Sequence, residues 1–453
     1  MKKRRIIVIG GMAAGPSAAA KAARVNPNAD VILFEQTENI SYGICEVPYV
    51  ISGEIDNEDK LVIYTPDRLS QEKRITVKIL HKVEKIITNK HKVVVRNLSN
   101  SEIKEYEYDK LIIATGANAK KLNIPGEDCR NVFHLRNRDD AKNILNYIKT
   151  EKPKRAAVIG SGYIGIEMAE AFRKTDMEIT LIHQLSLPLE TFEPETSEVV
   201  LEELTKNGIN FVANAKTEAF LKSKNEKVEY VLTNRGSFET DLVIMAIGVE
   251  PNVSLAKNAK LRLGNTGAIS VNNSQQTSNE DIYAAGDCAE VTNIVTGKHA
   301  YIPLASVASR SAWVAGENAA GGRSKFDGAI NSSALRIFNL EVAKVGLSSQ
   351  EAASARFKVV TDIIKTNSII PLMPDNKKVT IKLVVDQVTK RILGANVFGE
   401  GGAVSRSNVL AAAIQNKFTV KDLTSLDLIY APPFAPLWDP ILVSSNSIKK
   451  KLT

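Results

Sequence analysis

The strongest constraint on the fold is a strand, glycine-rich turn, helix and strand that occur twice in the same order. Near the N-terminus, the run RIIVI (residues 5–9) is followed by GGMAAG, an alanine-rich stretch to Arg24 and the apolar run VILFE (31–35). Residues 155–183 repeat this order with RAAVI, GSGYIG, a helical stretch and EITLIH. Two such units in one chain predict two dinucleotide-binding units.

The residues of the first unit suit a bound dinucleotide. Gly10 permits a tight turn, and Gly11 with the small alanines lets the backbone approach a pyrophosphate, whose charge the helix N-terminus attracts. Glu35 lies 20 residues beyond Gly15, a separation at which a carboxylate can accept a hydrogen bond from a ribose hydroxyl. Met12 departs from the usual G-x-G-x-x-G pattern, so this motif alone leaves an ordinary turn open.

The second unit has the complete spacing, with glycines at 160, 162 and 165. Its second strand ends at His183 and carries no acid there. Because a carboxylate would repel a 2′-phosphate, its absence argues against a strict preference for NADH. His183 therefore either tolerates that phosphate or is an ordinary surface residue.

Further segments extend this pattern. YDKLIIATGA (108–117) and DLVIMAIGVEPN (241–252) read as buried strands, and DIYAAGDCAE (281–290) places Gly286 and Asp287 after another. An aspartate at such a strand end can hold a sugar-alcohol hydroxyl of a flavin tail. After the stretch GGRSKFDG the pattern changes near residue 325, which predicts a separate α+β module.

Composition excludes several classes of function. The 59 Lys and Arg residues against 51 Asp and Glu give a net charge of +8, partly in the terminal runs KKRR and KKK, but no basic stripe interleaved with aromatics suggests nucleic acid. The N-terminal apolar run breaks at Gly10, and no run approaches a membrane span. Cys45, Cys129 and Cys288 are too scattered for a disulfide framework or a metal site. These features predict a cytoplasmic protein.

These motifs, with the ATG of residues 114–116, the GD of 286–287 and one cysteine before Pro-Tyr, resemble the flavin-dependent pyridine nucleotide–disulfide oxidoreductases. The lone cysteine indicates the single-cysteine branch, which contains coenzyme A-disulfide reductases, NADH oxidases, NADH peroxidases and persulfide reductases. The resemblance covers essentially the whole chain, including YTPDRL, FHLRN, TLIH and YAPPF. The last two look most like coenzyme A-disulfide reductases.

The resemblance implies an α/β fold with two Rossmann-like domains and a C-terminal α+β dimerisation domain. The expected division is FAD-binding at 1–118 and 249–324, NAD(P)-binding at 119–248, and dimerisation at 325–453. It also implies a homodimer in which the partner's C-terminal segment reaches the flavin site.

The family's binding residues carry over to matching positions of this sequence. For FAD they are Gly10, Gly15, Glu35, Thr115, Gly116, Arg136, Gly286, Asp287, Ala305 and Ser306. For NAD(P)H they are Gly160, Gly162, Tyr163, Ile164, Gly165, Glu167, His183 and Gly248. Further cofactor-binding positions are Gly11, Ala14, Gln36, Val83 and Ala114. Lys21, Arg24 and Ser41 fall where the family contacts coenzyme A, although surface charge also explains the two basic residues.

Cys45 is the expected redox group. Residues 46–50 contain no second cysteine, so a redox cycle needs an external sulfur or a sulfenic acid. At a loop-to-helix junction, the helix N-terminal amides are expected to stabilise the thiolate and lower the thiol pKa. The alternative is a small buried hydrophobic residue, which is the expectation for Cys129 and Cys288. Tyr430, in YAPPF, is either the proton donor for the leaving thiolate, reaching in from the partner, or an interface contact.

Three departures from the family bear on the substrate. Ile369 and Ile370 precede Pro371 where coenzyme A-disulfide reductases usually have Tyr-Tyr-Pro, and Ile44 stands where they tend to have Asn. Both changes predict a more apolar pocket and put coenzyme A itself in question. Ala13 replaces the histidine of the oxidases and peroxidases, which weakens the peroxidase reading.

The leading hypothesis is an NAD(P)H-dependent reductase of coenzyme A disulfide or a similar small disulfide or persulfide. One alternative is an NADH oxidase. Another is an electron-transfer flavoprotein reductase that does not require Cys45.

Overall fold

The computed structural model describes residues 3–223 and 225–452. The first unit consists of β1 (Arg5–Ile9), α1 (Ala14–Val25) and β2 (Asp30–Phe34). Strands β1 and β2 pair in parallel with register Ile7 to Ile32, and their β-branched side chains are almost fully buried.

The rest of this region adds strands β3 and β7 to the first sheet and forms a second, smaller sheet. The remaining elements before residue 120 are α2 (Val47–Ile51), α3 (Pro66–Lys73), β3 (Thr76–Lys78), β4 (His81–Ile87), β5 (Lys92–Asn97), β6 (Ile103–Glu107), β7 (Lys110–Ile113) and β8 (Ala117–Ala119). Short 3-10 helices lie at Ile44–Glu46, Glu58–Leu61 and Thr88–Lys90. Strands β4, β5 and β6 form an antiparallel sheet.

The second unit has its own five-stranded parallel sheet. Its elements are β9 (Val132–Phe133), α4 (Arg138–Glu151), β10 (Arg155–Ile159), α5 (Tyr163–Arg173), β11 (Glu178–Ile182), α6 (Pro194–Lys206), β12 (Ile209–Val212), β13 (Thr217–Lys222), β14 (Val228–Thr233), β15 (Gly236–Glu239) and β16 (Leu242–Met245). The strand order is β12-β11-β10-β16-β9, and β13 to β15 form a separate antiparallel sheet.

The chain then returns to the first sheet. The returning elements are β17 (Val249–Pro251), α7 (Ser254–Asn258), β18 (Ile282–Ala284), β19 (Val291–Thr292), β20 (His299–Ala300) and α8 (Ala305–Ala319). Strand β18 pairs with β7, which gives the order β18-β7-β1-β2-β3, while β17 pairs with β8 where the chain crosses between the two units. The first sheet is therefore assembled from chain segments on both sides of the second unit.

The C-terminal region is an antiparallel sheet with helices, as the sequence predicted. Its elements are β21 (Ser333–Ile337), β22 (Leu340–Gly346), α9 (Ser349–Ser354), β23 (Val359–Asn367), β24 (Lys378–Asp386), β25 (Ile392–Gly399), α10 (Ala403–Gln415), α11 (Val420–Thr424) and α12 (Pro440–Lys449). The strand order is β21-β22-β25-β24-β23. The predicted α/β fold with an α+β C-terminal region is confirmed. Among the described residues, no helix is long and apolar enough to cross a membrane.

A buried polar joint holds the second unit against the C-terminal sheet. The Nζ atom of Lys382 on β24 lies 2.6 Å from a carboxylate oxygen of the fully buried Glu193, and it also pairs with Glu195. Asn396 accepts hydrogen bonds from the Glu193 backbone N–H and the Thr196 hydroxyl. Removing one partner of this buried ion pair would leave an uncompensated charge, so its loss should destabilise the contact between the second unit and the C-terminal sheet.

Candidate functional site

The predicted FAD-binding residues collect at one edge of the first sheet. Gly10, Glu35 and Ala114 directly follow β1, β2 and β7, and Asp287 comes shortly after β18. These strands are parallel, so their carboxyl ends meet at the same edge. This is the edge at which open α/β sheets bind ligands.

The first turn leaves no room for side chains on its glycines. Gly10 has a φ of 109°, and a Cβ there would overlap the Ala114 carbonyl oxygen. A Cβ on Gly15 would overlap the carbonyl oxygen of Gly10. The strand, the turn and α1 therefore approach each other closely, which brings the helix N-terminus up to this edge. We call this arrangement of backbone between Gly10 and Gly15 the first cradle. It fits the pyrophosphate of FAD.

Glu35, which directly follows β2, stabilises this turn through hydrogen bonds to its carboxylate. One carboxylate oxygen accepts the Gly11 backbone N–H at 2.6 Å, and the other accepts the Thr37 backbone N–H at 2.8 Å and its hydroxyl at 2.9 Å. The side chain of Glu35 is buried. The carboxylate therefore orders the turn, a role that the sequence did not predict, and its contact with a ribose stays a prediction.

A second helix N-terminus meets the first across Gly286. Gly286 has a φ of 78°, and a Cβ there would lie 2.8 Å from the Ala14 side chain and 3.6 Å from that of Ala308. Ala305 and Ser306 form the exposed first turn of α8, whose N-terminus has no side-chain cap. Two helix N-termini thus point their free amides toward this part of the edge, and they favour anionic or hydrogen-bond-accepting groups of a ligand.

Arg136 and Thr115 connect the edge to neighbouring segments. The Arg136 guanidinium donates to the Asp287 carboxylate at 3.3 Å. The Thr115 hydroxyl donates to the Asn252 carbonyl at 2.7 Å, and the Asn252 N–H returns a bond to Gly116 at 3.0 Å. The Asn252 side-chain amide also donates to the Thr115 carbonyl at 3.5 Å. Asn252 was missed as a site residue because its two shorter bonds are made through backbone atoms, which no side-chain motif encodes.

The second unit repeats the cradle with different chemistry. A Cβ on Gly165 would overlap the Gly160 carbonyl oxygen, whereas a Cβ on Gly162 would meet open space. The Ser161 backbone N–H donates to His183 Nδ1 at 3.4 Å. Burial lowers the pKa of His183, and its Nε2 has no hydrogen-bond partner among the described residues. A neutral imidazole with an unused ring N–H fits a donor to the ribose of a nicotinamide nucleotide.

The other predicted NAD(P)H residues lie around the start of α5. The Tyr163 hydroxyl is 2.5 Å from the Ser333 hydroxyl on β21, and burial raises its pKa. Ile164 packs against the apolar core. Gly248 has a φ of 97°, and its carbonyl accepts the Lys120 N–H at 3.0 Å at the crossover between the units. The structure thus ties the predicted nicotinamide region to the C-terminal sheet through Tyr163.

Cys45 lies in the 3-10 helix that leads into α2 and is the one exposed cysteine of the three, since Cys129 and Cys288 are buried. The prediction of a lowered thiol pKa was wrong for this protein environment. Surrounding protein displaces enough water to raise the pKa, and the Glu46 and Glu167 carboxylates raise it further, whereas Arg136 lowers it. Helix α2 has only five residues, so its N-terminal charge is small.

The predicted coenzyme A contacts divide into two places. The Ser41 N–H donates to the Gly11 carbonyl at 2.9 Å, so Ser41 adjoins the first cradle. Lys21 pairs with Glu317 at 2.8 Å, and both Lys21 and Arg24 stand over the half-exposed Trp313 ring.

Three other predicted residues have unremarkable surroundings in a single chain. Gln36 is exposed, while the Val83 side chain is part of the core, so only the backbone of Val83 can face a ligand. Tyr430 is 48% exposed, and no hydrogen bond to its hydroxyl occurs within residues 3–223 and 225–452. Its proposed catalytic role stays a prediction.

Tyr301 is a site residue that the sequence did not reveal. Its hydroxyl is buried without a partner among the described residues. Burial raises its pKa, as does the Asp287 carboxylate, whereas Arg136 lowers it. Tyr301 begins the YIPLAS stretch, but no spacing rule marks it. Within the same described ranges, no group of His, Cys, Asp and Glu side chains could hold a metal ion.

Comparison with known proteins agrees with this geometry. The sequence model of the pyridine nucleotide-disulphide oxidoreductases matches residues 4–312, and the model of their dimerisation domain matches residues 332–440. A CoA-dependent NAD(P)H sulfur oxidoreductase of Pyrococcus furiosus is 39% identical, with 99% of this chain and 100% of that protein covered. An NADH oxidase of Methanocaldococcus jannaschii is 32% identical, with 99% of each covered.

A solved structure is similar over the same length. The NAD-dependent persulfide reductase from A. fulgidus superimposes with a TM-score of 0.95 at 33% identity, covering 99% of this chain and 83% of that one. The two glycine cradles, the shared sheet edge and the full-length similarity lead to one conclusion. The chain belongs to the pyridine nucleotide-disulphide oxidoreductase family, whose enzymes use FAD and a nicotinamide nucleotide.

Proposed function

We propose that this protein is an FAD-dependent NAD(P)H oxidoreductase that reduces persulfides, polysulfides or disulfides of coenzyme A, or of a similar small thiol, through Cys45. The observation that carries the proposal is the single exposed cysteine, which lies within electrostatic range of the Arg136–Asp287 pair at the edge of the first sheet. The names of the Pyrococcus furiosus and A. fulgidus relatives support the choice of a sulfur substrate.

When bound, the flavin would supply two-electron transfer between the nicotinamide and sulfur. The chain's own residues would do the rest. The first cradle and Glu35 would hold the FAD pyrophosphate and ribose, and the Arg136–Asp287 pair would fix the approach to Cys45. The Cys45 thiolate would attack one sulfur of the substrate S–S bond, which is the outer sulfur in a persulfide. That bond would break, Cys45 would carry the attacked sulfur as a mixed disulfide or persulfide, and the departing thiolate would take a proton.

The described surface supports a homodimer. Four apolar side chains within the matched dimerisation domain are between 58% and 84% exposed, namely Ile429, Phe434, Leu437 and Trp438. Exposed apolar groups of this size mark an interaction surface. We assign this segment to the dimer contact, with Tyr430 of a second copy brought toward Cys45. The site residues named above and domain boundaries near residues 118, 248 and 324 are part of the same proposal.

NADH oxidation by oxygen is the second candidate. The similarity to a protein named NADH oxidase favours it, and an exposed Cys45 could cycle through a sulfenic acid. Ala13, exposed at the start of α1, offers no side-chain acid or base near the first cradle. We therefore rank the oxidase second.

Steady-state kinetics of Cys45→Ser would separate these activities. In the wild type, turnover with coenzyme A persulfide, polysulfide or coenzyme A disulfide should exceed turnover with oxygen. Cys45→Ser should abolish sulfur reduction and spare electron transfer to an artificial one-electron acceptor, because that transfer needs only the cofactors. Cys288→Ser is the matched control and should keep sulfur reduction. Sulfur reduction that survives in Cys45→Ser would refute the proposal.

A further inference from the structure

The glycine turn of the second unit, residues 160–165, is bonded to the loop that follows β11. The Leu189 backbone N–H in this loop donates to the Ser161 carbonyl at 3.0 Å. Leu189 is buried and has a φ of 52°, a backbone conformation that is unfavourable for a bulky side chain. Its carbonyl accepts the Ser197 hydroxyl at 3.3 Å. The bonds on both sides of Leu189 therefore hold it in this conformation against the turn.

The first unit has the same contact. The Ser41 N–H donates to the Gly11 carbonyl at 2.9 Å, and Ser41 also has a positive φ, of 47°. Gly11, like the acceptor in the second unit, directly follows the first glycine of its turn. Four residues beyond Ser41 the chain reaches Cys45, and four residues beyond Leu189 it reaches Glu193. Glu193 thus has in the second unit the place that Cys45 has in the first.

Glu193 is fully buried and is bonded to the C-terminal sheet. Its carboxylate lies 2.6 Å from Lys382 Nζ on β24 and accepts the Ser349 N–H and hydroxyl, the latter at 2.9 Å. Its backbone N–H donates to Asn396 Oδ1 on β25 at 3.0 Å. These partners all belong to the C-terminal region. The loop that contacts the glycine turn is therefore held at its far end by a different part of the fold.

A second contact joins the other side of the turn to the same sheet. Tyr163 directly follows Gly162 at the start of α5, and its hydroxyl lies 2.5 Å from the Ser333 hydroxyl on β21. Strands β21 and β24, which carry Ser333 and Lys382, belong to one five-stranded sheet. The turn is thus connected to the C-terminal sheet through the loop on one side and through α5 on the other.

We propose that the C-terminal sheet sets the position of the nicotinamide-nucleotide turn, with Glu193 and Lys382 as positioning residues that act through Leu189. The inference rests on the proposed function, because it takes this turn as the NAD(P)H site. The first turn is held within its own unit, where the Glu35 carboxylate accepts a backbone N–H of the turn at 2.6 Å. The matching bond to His183 is 3.4 Å long. The second unit therefore relies on the C-terminal sheet for the position of its turn.

Binding of NAD⁺ to the oxidised holoenzyme, measured by isothermal titration calorimetry, tests this dependence. Lys382→Met alone would leave the Glu193 charge buried without a partner, which is strongly destabilising. The variant of choice therefore combines Lys382→Met with Glu193→Gln, since replacing both members of a buried pair by neutral groups is often tolerated. The double variant should keep its FAD, and its dissociation constant for NAD⁺ should rise about 10-fold, a usual size for coupling through a packed network.

Lys344→Met is the matched control. Lys344 is a second buried lysine of the same sheet, but its ion-pair partner is Glu351 of α9, within the C-terminal region. This variant should lose thermal stability and keep the wild-type affinity for NAD⁺. Ser333→Ala tests the other contact and should raise the dissociation constant by roughly 3-fold, the effect of one hydrogen bond.

A second readout separates positioning from a general loss of structure. In stopped-flow reduction of the holoenzyme by NADH, the NADH concentration that gives half the maximal rate should rise in the double variant. The limiting rate at saturating NADH should stay within about 2-fold of the wild type, because the lost interaction affects binding rather than hydride transfer.

Three results would overturn the proposal. One is a wild-type NAD⁺ dissociation constant in a double variant of lowered thermal stability, which would make the joint purely structural. The others are an equal rise in Lys344→Met and loss of FAD from the double variant. If the double variant did not fold, Thr196→Val would carry the test, because it removes only the hydroxyl that donates to Asn396. Its dissociation constant should rise by roughly 3-fold, and an unchanged value would overturn the proposal.

These results are separable from the proposed function. Gly165→Ala, whose Cβ would overlap the Gly160 carbonyl oxygen, should weaken NAD⁺ binding whether or not the joint acts on the turn. Normal NAD⁺ affinity in Gly165→Ala would refute the nucleotide site itself. Weak binding there, with wild-type affinity in the double variant, would remove only the role of the joint. Sulfur reduction that survives in Cys45→Ser would refute the proposed function and leave the NAD⁺ measurements as they are.

Discussion

The two nucleotide-binding units share one backbone device and differ in the side chain that completes it. In each, a glycine of the helix packs on the carbonyl of the first glycine, Gly15 on Gly10 and Gly165 on Gly160. In each, the residue after the first glycine donates its N–H to the side chain of the residue that directly follows the second strand. In the first unit that acceptor is a carboxylate at 2.6 Å, and in the second it is a neutral imidazole at 3.4 Å.

The difference fits the proposed assignment of FAD to the first unit and NAD(P)H to the second. A charged acceptor with three short hydrogen bonds makes the first cradle rigid, which suits a cofactor that stays bound. The longer bond to His183 holds the second turn less firmly, which suits a nucleotide that must leave in every cycle. The shared part was readable from the sequence, but the different strength of the two turns was not.

The largest effects should come from filling the cradles. Gly15→Ala should yield protein without FAD, because the new Cβ would force α1 away from β1. Gly165→Ala should retain FAD and its yellow colour but lose reduction by NADH by about 100-fold or more, since mispositioning of this kind is costly. Absorption spectra and stopped-flow reduction measure the two losses.

Gly162→Ala sharpens this test. A Cβ at Gly162 would meet no protein atom, so the variant should fold with unchanged thermal stability and still bind NADH poorly. Retention of FAD by Gly15→Ala, or normal NADH affinity in Gly162→Ala, would mean that the cradles do not hold the nucleotides as described.

Glu35→Gln should have the next largest effect. The amide keeps the shape of the side chain but presents a donor to one of the groups that Glu35 now accepts from, which leaves a buried polar group unpaired. FAD affinity should fall by roughly 10-fold or more, measured by fluorescence as the flavin is released. The matched change in the second unit, His183→Gln, should alter FAD affinity little, and an equal loss in both variants would break the comparison.

The smallest expected effect concerns the choice of nucleotide. His183→Asp should raise the KM for NADPH by about 10-fold relative to that for NADH, because a carboxylate would repel the 2′-phosphate.

The choice of nucleotide should also depend on pH. Burial lowers the pKa of His183, so the wild-type imidazole is neutral at pH 7 and gains its positive charge only when the pH falls below the ordinary pKa of histidine. The preference for NADPH over NADH should therefore increase toward acidic pH in the wild type and not in His183→Gln. If the ratio of kcat/KM for NADPH to kcat/KM for NADH stays constant from neutral to acidic pH, His183 does not take part in selecting the nucleotide.

Local patterns account for what could be predicted from the sequence. Buried β-branched runs and glycine spacing identified β1, β2, β10 and β11, and the change of pattern near residue 325 identified the C-terminal module. Cys45 stood out because no second cysteine was near it. These features depend on residues that are close together in the chain.

The features that were missed depend on distant residues. Burial raises the pKa of Cys45, and Glu167 on α5 raises it further. The hydroxyl of Tyr301 is buried without a partner among the described residues, which no local pattern shows. The joint between Lys382 and Glu193 links regions almost two hundred residues apart. No spacing rule in the sequence encodes such interactions between residues that the fold brings together. The electrostatics of the site could therefore be determined only from the three-dimensional structure.

The central claim is that electrons taken up by this protein reach Cys45. The most direct measurement is an anaerobic NADH titration of the holoenzyme after oxidation with a small disulfide, followed by its visible spectrum, with Cys45→Ser as the control. The account predicts a long-wavelength thiolate-to-flavin charge-transfer band before the flavin bleaches, stronger at higher pH because the thiol pKa is raised, and absent from Cys45→Ser. Bleaching from the first addition of NADH, without that band and equally in both proteins, would contradict it.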